Sequence, residues 1–507
     1  MFKYFLVISA FFIHQAHAAQ CNSLNDLDGA GCSVVSITPY AGDVGEVLVY
    51  SLANTGNAPR YSKIVYVVEP FSIFDDNTQE GVIDDLGSSS SGSLVDQLRA
   101  DGFDLVFFGY RGNMVDSYLQ RKAYALADAL QQINQWRELE SVDDGFYSET
   151  MIGMSLGGVI ARYALASMEQ QGIEHGISTY ISVDSPHEGA NVPLSLQRTM
   201  LFFEQGLDAA DDANGAWYNK FVAFTLEGVL NLGLHELLNT SLIGGIIHNQ
   251  FDWNMLDDPA NGLRSLSRSH REALTILNKV DTIAAKQLLI NHYESSSISP
   301  YRSSLLSELD SLGFPAKTKN IAIVNASLSQ AGDRVYHKNG MYLNIDSNTY
   351  NSSRWDIAAA STNNGNAINF SGTFRYPVNY TAYTDIHYYR KNWNSSGYFD
   401  VDAGVCSSAF LSSILVQSLN EGGFSDKYGN VNVLDEETCF IPVASSMAID
   451  VLDYNSMPDV SYSPFDQIWG RNVIDEHLAM GPYVDDIVSE AHQIPGWFVP
   501  VITNILF

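Results

Sequence analysis

Residues 150–158, Thr150-Met151-Ile152-Gly153-Met154-Ser155-Leu156-Gly157-Gly158, decide how the chain is read. Thr150–Gly153 is a short apolar run that leads into a glycine-rich turn, and Val159 to Met168 continues as a helix. Gly153-Met154-Ser155-Leu156-Gly157 fits the G-x-S-x-G pattern, here at a strand-to-helix reversal. Such a turn pushes the central side chain above the sheet edge. Glycines on both sides remove the Cβ atoms that would collide with neighbouring elements. The helix start turns its dipole and its free N–H groups toward the same place. Ser155 is therefore the candidate nucleophile. The bland alternative is a plain glycine turn, but the strand before it and the helix after it argue against that.

Working outward, the stretch from about 60 to 192 alternates strand and helix. Ile64–Val68 (IVYVV) and Asp104–Phe108 (DLVFF) are continuous apolar runs. Runs of that kind suit strands buried on both faces of a parallel sheet. Leu94 to Ala100 starts a helix. Leu119 to Trp136 places Leu119, Ala123, Leu126, Leu130 and Ile133 at steps of three or four, a helical stripe. Tyr180–Val183 is a further strand, and Asn320–Ala326 returns to a buried one. Repeated β-α-β units with right-handed crossovers make a doubly covered, mostly parallel sheet.

Two stretches interrupt this pattern. Residues 193–312 read as helices, including Phe221–Leu232 and Leu242–Ile247, and are too long for an ordinary loop. They read as an inserted helical cap, or equally as a helical unit with its own core. Residues 336–405 are rich in Asn, Ser, Thr and Tyr. Ile368, Phe370, Phe374 and Tyr376 fall at even positions, which predicts an antiparallel β insertion with one face buried. The remaining divisions are a leader at 1–18, an N-terminal extension at 19–59, a core strand at 313–335 and a C-terminal part of the core at 406–507. In that last part Phe440–Val443 and Phe465–Trp469 read as the final strands, and His477 to His492 closes with a helix.

Lys3, the apolar run Tyr4 to Ile13 and Ala16-His17-Ala18 form a secretory leader, with cleavage expected after Ala18. The run is too short to span a bilayer, and Gln20 before Cys21 argues against a lipid anchor. The expectation is a secreted or periplasmic protein without a stable membrane anchor. Cys21, Cys32, Cys406 and Cys439 then form disulfides, with local pairing the simplest of three connectivities. Lys+Arg 27 against Asp+Glu 58 give a formal charge of −31, so a nucleic-acid partner is excluded and docking on anionic lipid is disfavoured. Hydrophobic residues at 46% supply ample core. The acidic pairs Asp75-Asp76, Asp84-Asp85 and Asp485-Asp486 read as solvated faces rather than Ca²⁺ ligands, and no metal or cofactor is expected.

Ser155 in Gly153–Gly158, followed by Tyr180–Pro193 (YISVDSPHEGANVP), resembles the α/β-hydrolase superfamily, most closely its secreted bacterial lipase and esterase branch. In that branch a Pro-His-x-Gly segment follows the strand after the nucleophile. Pro186-His187-Glu188-Gly189 is similar to it. The resemblance covers about half the chain, near 60–195, 315–335 and 437–490. It implies an α/β fold with a helical cap and an antiparallel β insertion, and triad order Ser, acid, His.

The resemblance places the base after the last strand, where only His477 and His492 stand. His477, in the Asp475-Glu476-His477 loop before the closing helix, is chosen. His187 belongs to the Pro-His-x-Gly segment. The acid should hold the far nitrogen of His477. Relatives place it in an Asp-Gly segment, but here that place holds Asp435-Glu436-Glu437. Asp450, 27 residues before His477, is chosen first, with Glu437 and Asp184 next and Asp333 also in play. The oxyanion hole is expected from the backbone N–H groups of Leu156 and Phe71. Glu69-Pro70 departs from the His-Gly of many relatives, and Pro70 has no N–H.

These residues imply a hydrolase of carboxylic esters acting on an ester or lipid. An acyltransferase or phospholipase of the same fold is the nearest rival. A non-catalytic secreted binding protein, working through the Tyr/Asn-rich insertion, is the rival from another class.

Overall fold

The computed structural model describes residues 20–27, 31–37, 44–70, 79–110, 117–142, 149–199, 202, 281–292, 299–328, 341–346, 354–360, 370–379, 382–388, 406–409, 416, 432–433, 438–451, 454, 457–473 and 475–493. The expected leader, most of the expected cap with Phe221–Leu232 and Leu242–Ile247, Phe71, Asp333 and Glu437 lie outside them.

Eight strands form the main sheet: β1 (Cys32–Ile37), β2 (Val44–Leu52), β3 (Ile64–Val68), β4 (Asp104–Gly109), β5 (Glu149–Met154), β6 (Ile177–Val183), β7 (Lys319–Val324) and β8 (Gln467–Gly470). Their spatial order is β1-β2-β4-β3-β5-β6-β7-β8. β2 runs antiparallel to both β1 and β4, and every pair from β4 to β8 is parallel.

Strand periodicity divides the apolar runs between two layers. Ile64, Tyr66 and Val68 of β3, with Val106 and Phe108 of β4, pack on one face with Leu126, Leu130 and Ile133 of α2 (Leu119–Leu139) and Val159, Ile160 and Tyr163 of α3 (Leu156–Gln170). Val65, Val67, Leu105 and Phe107 face the other way. They pack against Leu94 and Leu98 of α1 (Leu94–Ala100) and Val484 and Ile487 of α5 (Val484–Ala491). All five residues of β3 are buried, as a strand covered on both faces requires. Each such Val contributes ~1.5–3 kcal/mol by leaving water. Helices on both faces of this strand order, with an antiparallel β2 and a strand-turn-helix serine after β5, make the α/β-hydrolase fold.

α4 (Pro300–Leu312) ends the stretch read as a cap, yet Leu305 and Leu309 enter the same core as α3. Arg162 of α3 ties the two helices by donating to the carbonyls of Leu309 and Gly313, both at 3.0 Å. The Gly313 carbonyl lies just past the end of α4, and the Leu309 carbonyl also accepts the Gly313 N–H at 2.8 Å.

The Asn/Tyr-rich stretch forms a separate antiparallel sheet. Met341–Asp346, Arg354–Ala360, Phe370–Asn379 and Ala382–Tyr388 pair in chain order, and Asn432–Val433 adds to the free edge of the first. Phe370, Phe374 and Tyr376 lie in one of these strands, as their spacing predicts. One expected strand differs. Thr438–Pro442 does not join the main sheet but pairs antiparallel with Cys406–Ala409. Disulfides link Cys21 to Cys32 and Cys406 to Cys439, the local pairing. Among the described residues no helix is long and apolar enough to cross a membrane.

Candidate active site

Ser155 sits between β5 and α3 with φ 49°, a backbone conformation that L-residues rarely adopt. Close packing holds it there. A Cβ on Gly157 would lie 2.3 Å from the Val68 carbonyl oxygen, and one on Gly158 would lie 2.0 Å from Ser185 Oγ. Only glycines let the start of α3 come this close to the ends of β3 and β6. The Ser155 N–H donates to the Val183 carbonyl at 2.9 Å, which fixes the turn against β6.

His477 lies in the loop between β8 and α5. Its Nε2 is 2.9 Å from Ser155 Oγ. Its Nδ1 is 2.7 Å from Asp184 Oδ2. A carboxylate only accepts, so Nδ1 carries the proton and Nε2 is left to accept from the Ser155 hydroxyl. The His477 N–H donates to the Ser408 carbonyl at 2.8 Å, and the Phe440 ring stands edge-on to the imidazole with centroids 4.7 Å apart.

Asp184 follows the last residue of β6 and, like Ser155, has positive φ (42°). It is fully buried. Its other oxygen, Oδ1, accepts from Ser446 Oγ at 2.8 Å and from the Asn325 N–H at 3.3 Å.

The carboxylate at His477 is that of Asp184, and not that of Asp450, the first choice from sequence. Asp450 is exposed at the far end of the segment that carries Ser446, and it bears electrostatically on Glu188. The interval between acid and base in sequence was the wrong guide, because the adjacency of β6, β7 and β8 brings residue 184 to residue 477. The positions of Glu437 and Asp333 are not described. Leu156 opens α3, so its N–H is among the first-turn donors that a helix leaves free. Phe71, the other expected oxyanion donor, falls outside the described residues.

His187 and His492, the other two histidines weighed from the sequence, have separate partners. His187 is buried between Phe314 and Phe465, and its Nε2 is 2.9 Å from Ser182 Oγ. Burial holds this imidazole well below its usual range and so keeps it neutral. His492 pairs with Asp101 at 3.0 Å at the surface. Two groups escaped the sequence reading. Burial pushes Glu188 up to about 7, against the pull of Arg162 and Arg302. Ser446 donates to Asp184, and only its place just after Pro442-Val443 hinted at proximity to the site.

No family model and no curated protein matches the chain. Solved structures similar over part of it include an α/β serine hydrolase without lid from Xanthomonas campestris, at 18% identity and TM-score 0.21, covering 31% of this chain and 62% of that one. A variant of the rice cell wall degrading esterase from Xanthomonas oryzae has 16% identity and TM-score 0.24 over 35% of this chain and 44% of that one. A lipase/esterase from Lactobacillus plantarum has 12% identity and TM-score 0.23 over 31% and 61% respectively. The chain spans less than two thirds of the length of each of these proteins.

Proposed function

We propose that the protein is an exported serine hydrolase that cleaves carboxylic esters through Ser155, His477 and Asp184. The observation that carries this reading is the linear hydrogen-bond series Ser155 Oγ, His477 Nε2, His477 Nδ1, Asp184 Oδ2, with steps of 2.9 and 2.7 Å. His477 Nε2 takes the Ser155 proton as Oγ attacks the ester carbonyl. The negative oxygen of the tetrahedral intermediate faces the Leu156 N–H, with the Phe71 N–H as second donor. Collapse releases the alcohol, which carries away the proton from Nε2. Water then gives a proton to His477 and attacks the acyl-enzyme. The acid departs and Ser155 regains its proton. Asp184 holds the Nδ1 side of the ring throughout and stabilises the imidazolium.

The substrate in this reading is an uncharged ester or lipid, in keeping with a chain of net charge −31. Two disulfides among the described residues suit an oxidising, extracytoplasmic compartment. The reading is tested by exposing purified protein to a fluorophosphonate. Covalent phosphonylation of Ser155 supports it, and absence of labelling removes it.

A further inference from the structure

The two strands Cys406–Ala409 and Thr438–Pro442 stand apart from the main sheet, yet both touch the acid–base pair. From the first strand, the Ser408 carbonyl accepts the His477 N–H at 2.8 Å, and the Ser408 N–H donates to the Asp475 carbonyl at 3.1 Å. From the second, Phe440 packs its ring against the His477 imidazole. The Phe440 and Cys439 carbonyls accept from the backbone and side chain of Asn191, at 2.7 and 3.0 Å. The second strand runs straight into Val443–Ser446. There the Ser445 hydroxyl accepts the Glu188 N–H at 3.0 Å, and the Ser446 hydroxyl donates to Asp184 at 2.8 Å. One short ladder thus grips the base on one side and the acid on the other.

Such a ladder is weak by itself. Its register holds only the pairs Cys406↔Pro442, Ser408↔Cys439 and Ala409↔Thr438, with an irregularity among them. Isolated two-stranded ladders are marginal in water. The Cys406–Cys439 bond crosses this ladder, with both cysteines buried. Cys406 is two residues from Ser408, and Cys439 is next to Phe440.

We propose that the cross-linked ladder is a clasp that positions His477 against Asp184, so that turnover itself depends on the Cys406–Cys439 bond and on the Ser446 hydroxyl. Ser408, Phe440 and Ser446 are positioning residues. The proposal rests on the ester-hydrolase reading above. A small displacement of the base costs rate rather than substrate binding, because the near-attack geometry of Ser155 is lost.

The test uses the full exported chain and p-nitrophenyl acetate, at a temperature well below unfolding. Cys406→Ala/Cys439→Ala should lower kcat by at least about tenfold, with KM within about twofold of wild type. Ser446→Val should lower kcat in the same way. Ser446→Thr, of the same shape but with a hydroxyl, should recover most of it. A double alanine variant that folds and keeps kcat within about twofold of wild type overturns the clasp. If that variant does not fold, the Ser446 pair decides, and equal kcat for Val and Thr overturns it. Wild-type protein that neither hydrolyses esters nor takes a fluorophosphonate label at Ser155 sinks the hydrolase reading and the clasp with it. An active, labelled wild type with unaffected variants sinks the clasp alone.

Discussion

Asp184 Oδ2 stands 2.7 Å from His477 Nδ1 although 293 residues separate them in the chain. The sheet explains the meeting. β6, β7 and β8 are parallel neighbours, so their carboxyl ends lie side by side and the residues that follow them share one edge. Asn325, which follows β7, bridges the gap. Its N–H donates to Asp184, and its carbonyl accepts the Asp475 N–H at 2.8 Å in the loop that carries His477.

Asp184→Asn should therefore lower kcat for ester hydrolysis by about 10²–10⁴-fold, because the amide no longer fixes the productive tautomer. Asp450→Asn should stay within about twofold of wild type. Comparable losses in the two variants, or a larger loss at Asp450, would show that the hydrogen bond to Asp184 is not the one that matters.

Gly157→Ala is expected to damage stability and activity together. Its Cβ would stand 2.3 Å from the Val68 carbonyl oxygen, a backbone atom that cannot rotate away. Overpacking of this kind costs about 1–3 kcal/mol and at times more. The start of α3 would have to lift off β3 and carry Ser155 with it. A thermal melt and kcat on the same preparation check this, and a variant unchanged in both would mean that α3 is not held this close.

Glu188 gives the folded state a pH dependence of defined sign. Its carboxyl is pushed up to about 7 from an ordinary 4.5, chiefly by burial. The folded state thus holds this proton more tightly than the unfolded chain does. The stability it contributes is complete below about 4.5 and is lost as pH rises towards 7. Glu188→Gln mimics the protonated form, so its Tm relative to wild type should increase from pH 5 to pH 8. The difference amounts to about 3 kcal/mol at most. A Tm difference that stays constant across this range would mean that Glu188 does not hold a raised proton.

The fold was legible because its signals are local. Ile64–Val68 and Asp104–Phe108 are apolar on both faces, and only a doubly covered strand needs that. The turn at Ser155 was legible from its glycines, and a histidine beside it from the place of His477 after the last strand. The carboxylate that meets His477 was not legible, because strand adjacency and not spacing along the chain brings residue 184 to it. Asp184 and Asp450 both end apolar segments, and nothing local tells a buried carboxylate from an exposed one in so acidic a chain. Ser446 was hidden for the same reason, since its bond to Asp184 spans 262 residues. Thr438–Pro442 reads as a strand from composition, but composition does not say which sheet it joins.

The most direct measurement is a comparison of wild-type protein with Ser155→Ala, by fluorophosphonate labelling with peptide mapping and by hydrolysis of p-nitrophenyl acetate. The account predicts one label, on the peptide that contains Ser155. It predicts a fall of at least about 10³-fold in hydrolysis for the variant, which should fold normally. A Ser155→Ala protein that still turns over the ester at the wild-type rate, or a label that maps to another residue, would contradict it.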